Sequence, residues 1–200
     1  IFSAQTMPIL VAAIYAHNAY GADVIMRILG DTHRVLGAAS YSALGLGASA
    51  KTAEVRVNAA EALASLADRG MVDTALFAEE LCWLLGQHHV MAQRIEQTFR
   101  DAASISPLAG WRIMQVLEGI LPAVGEVNRG GTLVQLLAQL AGEYGVSIEI
   151  PEVLRPKMKG STVLAKSLRA LEKLQPHPTE LAEQARDQAQ ELLDQHRCAQ

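Results

Sequence analysis

Cysteine is scarce in this 200-residue chain: Cys82 lies in the apolar run Leu81-Cys82-Trp83-Leu84-Leu85, and Cys198 lies in a polar tail. Two thiols so placed exclude a disulfide framework and lead us to expect a cytoplasmic protein. Aromatic residues are only 4% of a chain that is 50% hydrophobic, so its apolar content is mostly Ala, Leu, Val and Ile. That is the vocabulary of packed helices, because Ala and Leu lead the helix scale and runs of β-branched or aromatic residues are missing. A basic excess is missing too. The net charge of −4 argues against a dedicated nucleic-acid binder, which needs cations to displace counterions from phosphates. No apolar run is long enough for a membrane crossing of about 20 residues. The most apolar window, 8–29, is interrupted by His17, Asn18, Gly21, Asp23 and Arg27 and reads as buried helix. Ile1-Phe2-Ser3-Ala4-Gln5 contains neither an initiator Met nor a basic n-region, which suggests the C-terminal part of a longer chain.

What is present is a succession of helix signals. Pro8 suits a first helical position, followed by a break at Gly21 and continued helical spacing to Gly37. A short helix around Ser40 to Leu46 precedes a longer one from Thr52 to Asp68. The apolar face of the longer helix is Val55, Ala59, Ala62, Leu63 and Leu66. Gly70 closes that helix and Asp73 caps the next, which runs to Gly86. Met91, Ile95, Phe99 and Ala102 mark another. Ser106-Pro107 opens a helix that Pro122 is expected to end, and Leu133 to Tyr144 forms one stopped by Gly145. Val146-Ser147-Ile148-Glu149-Ile150 alternates like a strand, but a lone strand has no partner, so an extended connector is expected. Ser161 and Pro178 open the last two helices, the final one with few large apolar residues. The chain divides into N-terminal helices (1–37), helix pairs (38–145), a connector (146–160) and a terminal helix pair (161–200). Pairs begin near Ser40, Asp73 and Pro107, a period of roughly 34 residues, which belongs to helical solenoids.

The segment Leu44-Gly45-Leu46, a short gap, then Ala53-Glu54-Val55-Arg56-Val57-Asn58-Ala59-Ala60-Glu61-Ala62-Leu63 resembles the HEAT repeat. In that pattern a Val-Arg pair opens the second helix and an Ala-Ala-x-Ala-Leu run allows close packing; the usual Asp-Pro turn is replaced here by Ala50-Lys51-Thr52. The resemblance implies an all-α fold, an α-solenoid of antiparallel helix pairs in a right-handed superhelical stack. From Gly70 onward, Val72-Asp73, Leu84 to Gly86, Arg94, Asp101-Ala102-Ala103, Trp111 to Pro122 and Gly160-Ser161 resemble the C-terminal region of large bacterial helical-repeat proteins of unassigned function. That resemblance implies a multi-repeat parent and company with MoxR-type AAA ATPases and von Willebrand A-type proteins. It carries over no catalytic residue.

Three chemistries fail on their residues. Gly45-Leu46-Gly47-Ala48-Ser49-Ala50-Lys51-Thr52 matches the phosphate loop G-x-x-x-x-G-K-[ST] except at Ala50, whose methyl replaces the second glycine, and no strand precedes it. Adjacent His88 and His89 diverge by about 100° on a helix and cannot share an ion. Glu79-Glu80 reads as a solvated face, and Trp83 and Trp111 as packing residues in apolar stripes. No G-x-S-x-G elbow is present. We therefore expect no cofactor, no metal and no catalysis.

One constellation stands out. Arg155, Lys157, Lys159, Lys166, Arg169 and Lys173 are six of the 17 basic residues, and Glu172 alone opposes them in their window. Lys166, Arg169 and Lys173 share one helical face opposite Leu164, Leu168 and Leu171. Two readings stand: a solvated face balancing Glu180, Glu183, Asp187 and Glu191 of the final helix, or a surface for an acidic or phosphorylated protein partner, its cations facing outward. The expected function is a non-enzymatic interaction or scaffold segment. The alternatives are a nucleic-acid-binding HEAT-like protein and a nucleotide-dependent enzyme using Gly45 to Thr52.

Overall fold

A computed structural model describes residues 19–31, 37–87, 89–127 and 129–198, and among them the chain is all-helical, without strands. The helices are α1 (Ala19–Asp31), α2 (Ala38–Ala48), α3 (Ala53–Asp68), α4 (Thr74–Gln87), α5 (His89–Ala103), α6 (Pro107–Val124), α7 (Gly131–Glu143), a 3-10 segment (Glu152–Met158), α8 (Val163–Lys173) and α9 (Glu180–Cys198). No helix among the described residues is long and apolar enough to cross a membrane. The helix expected to open at Pro8 begins outside the described residues. Gly21, expected as a break, lies inside α1.

Helices pack on their second neighbours: α1 on α3, α2 on α4, α3 on α5, α4 on α6 and α5 on α7. α6 also reaches back to α3 and receives α9, so it touches α3, α4, α5, α7 and α9. Its sequence suits that place, with Leu108, Ile113, Met114, Leu117, Ile120, Leu121 and Val124 all buried. Pro122 does not end it. The proline sits exposed in the last turn, so it interrupts the ladder only near its end and the helix continues to Val124.

Small residues set the close approaches. α3 buries Ala59, Ala60, Ala62, Ala64 and Ala67 beside Val55, Leu63 and Leu66, the face expected from its spacing. A Cβ on Gly30 of α1 would stand 3.1 Å from the Ala62 Cα, so α1 and α3 meet almost backbone to backbone. Gly45 and Gly47 do the same for α2: a Cβ on Gly45 would stand 2.8 Å from a Leu84 methyl, and one on Gly47 would collide with the Met26 sulfur. Aromatic rings then run through the core, Tyr41 to Phe77 at 5.6 Å and Phe77 to Phe99 at 5.8 Å, joining α2, α4 and α5. The Tyr41 hydroxyl donates to the Met71 carbonyl at 3.1 Å and accepts from the Asp73 amide, fixing the turn before α4.

Helix ends follow their local chemistry. Asp73 Oδ1 accepts from the Ala75 and Leu76 amides at 3.0 and 3.1 Å, and Ser106 Oγ accepts from Ala109 at 3.0 Å. Gly70 and Gly145 have φ of 64° and 65°. Each is followed by an amide that reaches five residues back, Met71 to Leu66 and Val146 to Ala141, which closes the helix before it.

Leu63→Ala should lower the unfolding free energy by about 2 to 5 kcal/mol in a denaturant titration, as a large-to-small change at a fully buried site. Gly47→Val should be as costly, because the Met26 side chain has to leave its place on α2. Wild-type midpoints in both variants would mean that α1 to α4 do not pack as described.

Candidate binding surface

The basic segment is built on a connector that is tied down along its length. After Gly145, residues 146–150 run extended without pairing as a strand, as expected, with Ile148 and Ile150 buried. The His177 amide donates to the Gly145 carbonyl at 3.0 Å, so the segment between α8 and α9 returns to the end of α7. Leu154 of the 3-10 segment is fully buried against Gly125, where a Cβ would strike its methyls. α8 starts at Val163, and its cap is Thr162, whose hydroxyl accepts from Ala165 at 3.1 Å; Ser161 stands exposed just before it. Leu164, Leu168 and Leu171 face inward, as their spacing requires.

The six cations divide into two groups. Arg155 pairs with Glu152 at 2.7 Å and approaches Glu172 at 3.9 Å. Lys157 donates to the Gly125 and Glu126 carbonyls at 3.2 and 3.0 Å and pairs with the Glu126 carboxylate at 3.4 Å. Arg169 donates to the Met158 carbonyl and, at 2.9 Å, to that of Gly160. These three brace the connector, and Arg169 is drawn out of the outward stripe expected for it. Lys159, Lys166 and Lys173 are exposed, and none forms an ion pair among the described residues. The acids of α9 do not balance the stripe: the pairs formed use Glu126, Glu152 and Glu172, because α9 packs on α6 while α8 packs on α7.

The other motifs resolve differently. Gly45 to Ala48 belong to α2 and are buried, their backbone committed to helix, so no loop is present there to cradle phosphate. Lys51 is exposed on the following turn. His88 lies outside the described residues, as does the side chain of His89. Glu80 accepts from Ser42 Oγ at 2.7 Å, whereas Glu79 is solvated. Trp111 packs edge-on against Tyr144 at 5.6 Å. Trp83, expected as packing, is 51% exposed, because α4 turns Phe77, Leu81, Leu84 and Leu85 inward and leaves it on the opposite face.

Two features had no sequence signal. A cleft of about 480 Å³ opens where α5, α6 and α7 meet the start of α9, lined by Arg100, Ile105, Leu136, Gln139, Glu143 and Leu181 among others. Its polar groups satisfy one another: Arg100 binds Glu96 at 2.6 Å and Gln139 at 2.7 Å, and Gln139 binds Glu143 at 2.8 Å. Tyr144, beneath it, donates to the Pro107 carbonyl at 2.6 Å, and its phenol is pushed up to about 12, chiefly by burial and then by the Glu143 charge. At the end of α3, burial raises the Asp68 carboxyl above its usual range, against the opposing pull of Arg112 and Arg69. Asp68 Oδ1 and Arg112 Nε are each buried with no hydrogen-bond partner among the described residues.

No family model, curated protein or solved structure matches this chain.

Arg169→Ala should cost about 1 to 3 kcal/mol, set by two partly sheltered hydrogen bonds from a charged donor, whereas Lys166→Ala and Lys173→Ala should stay within about 0.5 kcal/mol. Equal melting curves for all three would place Arg169 back in the solvated stripe. Asp68→Asn tests the buried carboxyl. Because the folded state raises its pKa, the native protein holds a proton that the unfolded chain releases. Stability is therefore lost as pH rises from 3.8 through the raised folded value. Asp68→Asn should consequently be more stable than wild type at pH 7, and the difference should close below pH 3.8. A destabilised variant at pH 7 would reverse the sign of this argument.

Proposed function

We propose that this chain is a HEAT-like α-solenoid segment, its helix pairs stacked in a right-handed superhelix, that binds an anionic protein partner and performs no catalysis. The observation that carries the reading is the set of three exposed lysines without a counter-ion among the described residues, Lys159 at the end of the connector and Lys166 and Lys173 on α8, beside a connector braced by their three basic neighbours. A braced backbone presents these charges at fixed spacing, so less ordering has to occur on binding than on a loose loop. The second-neighbour packing of α1 to α7 supports the solenoid part. In such stacks each repeat contacts its neighbours and leaves a long surface for recognition. A cytoplasmic setting belongs to the same reading, supported by the unpaired Cys82 thiol, which burial pushes up and which is therefore poorly reactive.

A fluorescent Glu-rich helical peptide tests the proposal by anisotropy. We expect saturable binding that weakens with added salt and is lost when Lys159, Lys166 and Lys173 are all replaced by Glu, with the melting temperature unchanged. A duplex DNA of similar charge should bind more weakly than the peptide, because three lysines displace too few phosphate counterions for firm DNA binding. Tighter DNA binding, or peptide binding indifferent to the lysines, would overturn the reading. Titration with ATP and magnesium should give no isotherm, and one abolished by Lys51→Ala would restore a nucleotide site.

A further inference from the structure

Most exposed charge on the last two helices is sorted by helix, with Glu172 of α8 and Arg186 of α9 as exceptions. α8 exposes Val163, Lys166, Ala170 and Lys173 at steps of three and four residues, with Lys159 exposed ahead of it. α9 exposes Glu180, Glu183, Asp187 and Glu191 at the same kind of step. Within the chain neither stripe serves the other, for none of these side chains forms an ion pair among the described residues. The spacings match: Lys166 and Lys173 are seven residues apart, as are Glu180 and Asp187, and seven helical residues span about 10.5 Å. Apolar side chains flank both stripes, Val163 at 50% exposure beside the lysines and Leu192 and Leu193 at 41% and 55% beside the acids. Every residue from 190 to 195 is exposed, so this part of α9 extends past the surface of α6 that holds Ala185 and Gln188.

We propose that the α9 stripe of a second copy of this chain is the anion that occupies the α8 lysines, so that copies associate through complementary helices. This rests on the anionic-partner reading, since it uses the same lysines. Lysines and carboxylates meet across the interface at a shared seven-residue step, while Leu192 and Leu193 lie toward Val163. The contact is exposed and rich in charge, so it is reversible and sensitive to salt.

Sedimentation equilibrium of the full chain at ionic strengths of about 0.01 M and about 1 M tests it, because the screening length falls from about 30 Å to about 3 Å between them. At low salt the weight-average mass should exceed 21.5 kDa and rise with protein concentration; at high salt it should return to 21.5 kDa. One variant carries Lys159→Glu, Lys166→Glu and Lys173→Glu, and another carries Glu183→Lys, Asp187→Lys and Glu191→Lys. Each should keep wild-type helicity and remain at 21.5 kDa alone, and their equimolar mixture should associate. A monomeric wild type at low salt, association that survives either reversal, or a mixture that stays monomeric would overturn the proposal. If the monomeric wild type still binds the Glu-rich peptide through its lysines, only self-association falls; if the peptide is not bound either, both readings fall.

Discussion

Helix-end and turn carbonyls lack partners within their own helix, and besides backbone amides this chain turns cations to them at successive turns. Arg56 donates to the Ala50 and Lys51 carbonyls at 2.7 and 2.9 Å, closing the turn in which the HEAT pattern would place Asp-Pro. Arg69 reaches the Gly30 carbonyl at the end of α1. Along the α2–α3, α4–α5 and α6–α7 turns the donor comes from farther down the chain. Arg94 reaches Ser49 at 3.4 Å, Arg129 reaches Gly86 at 3.2 Å, and Lys157 reaches Gly125. Each contact also holds adjacent helix pairs in register, so the positions of the helices and of the basic segment depend on the same interaction. Hydrogen bonds from charged donors are worth about 1.5 to 3 kcal/mol when sheltered, and less where, as here, several are partly exposed.

Packing between the helices relies on what side chains omit. Gly30 and Gly47 with the alanines of α3 bring α1, α2 and α3 into near contact, Gly45 brings α2 against α4, and Gly110 and Gly119 allow Tyr144 and Thr74 close to α6, which meets five helices. The polar residues of the cleft beside α7 bind one another, whereas the exposed lysines of α8 and the exposed Glu180, Glu183, Asp187 and Glu191 of α9 form no ion pair among the described residues.

Legibility in the sequence followed the range of the deciding interaction. The Asp73 and Ser106 caps, the positive-φ ends at Gly70 and Gly145 and the buried face of α3 were readable because each depends on residues within one or two turns. Pro122 misled because a proline in the last turn, exposed as here, removes few helix bonds and need not end the helix. Trp83 sits in an apolar run, yet four larger claims on the inward face of α4 left it outside. Gly45 and Gly47 resembled a phosphate loop, but their role is set by Met26 and Leu84 on other helices. Of the six basic residues, spacing grouped Lys166, Arg169 and Lys173 together. It could not show that Arg169 would turn to the Met158 and Gly160 carbonyls, nor that Lys157 would bind carbonyls more than thirty positions upstream.

The backward reach of Arg94, Arg129 and Lys157 gives the order of the helices a direction in time as well as in space. A ribosome releases the N-terminal pairs first, so the Ser49 turn keeps water on its carbonyl until α5 has emerged, 45 residues later. Gly86 waits another 43 residues for its arginine, and Gly125 waits 32 for its lysine. Those three turns are thus each completed by a later element, and the start of α6 waits longest of all, since the Leu108 amide meets Gln188 of α9 only 80 residues later.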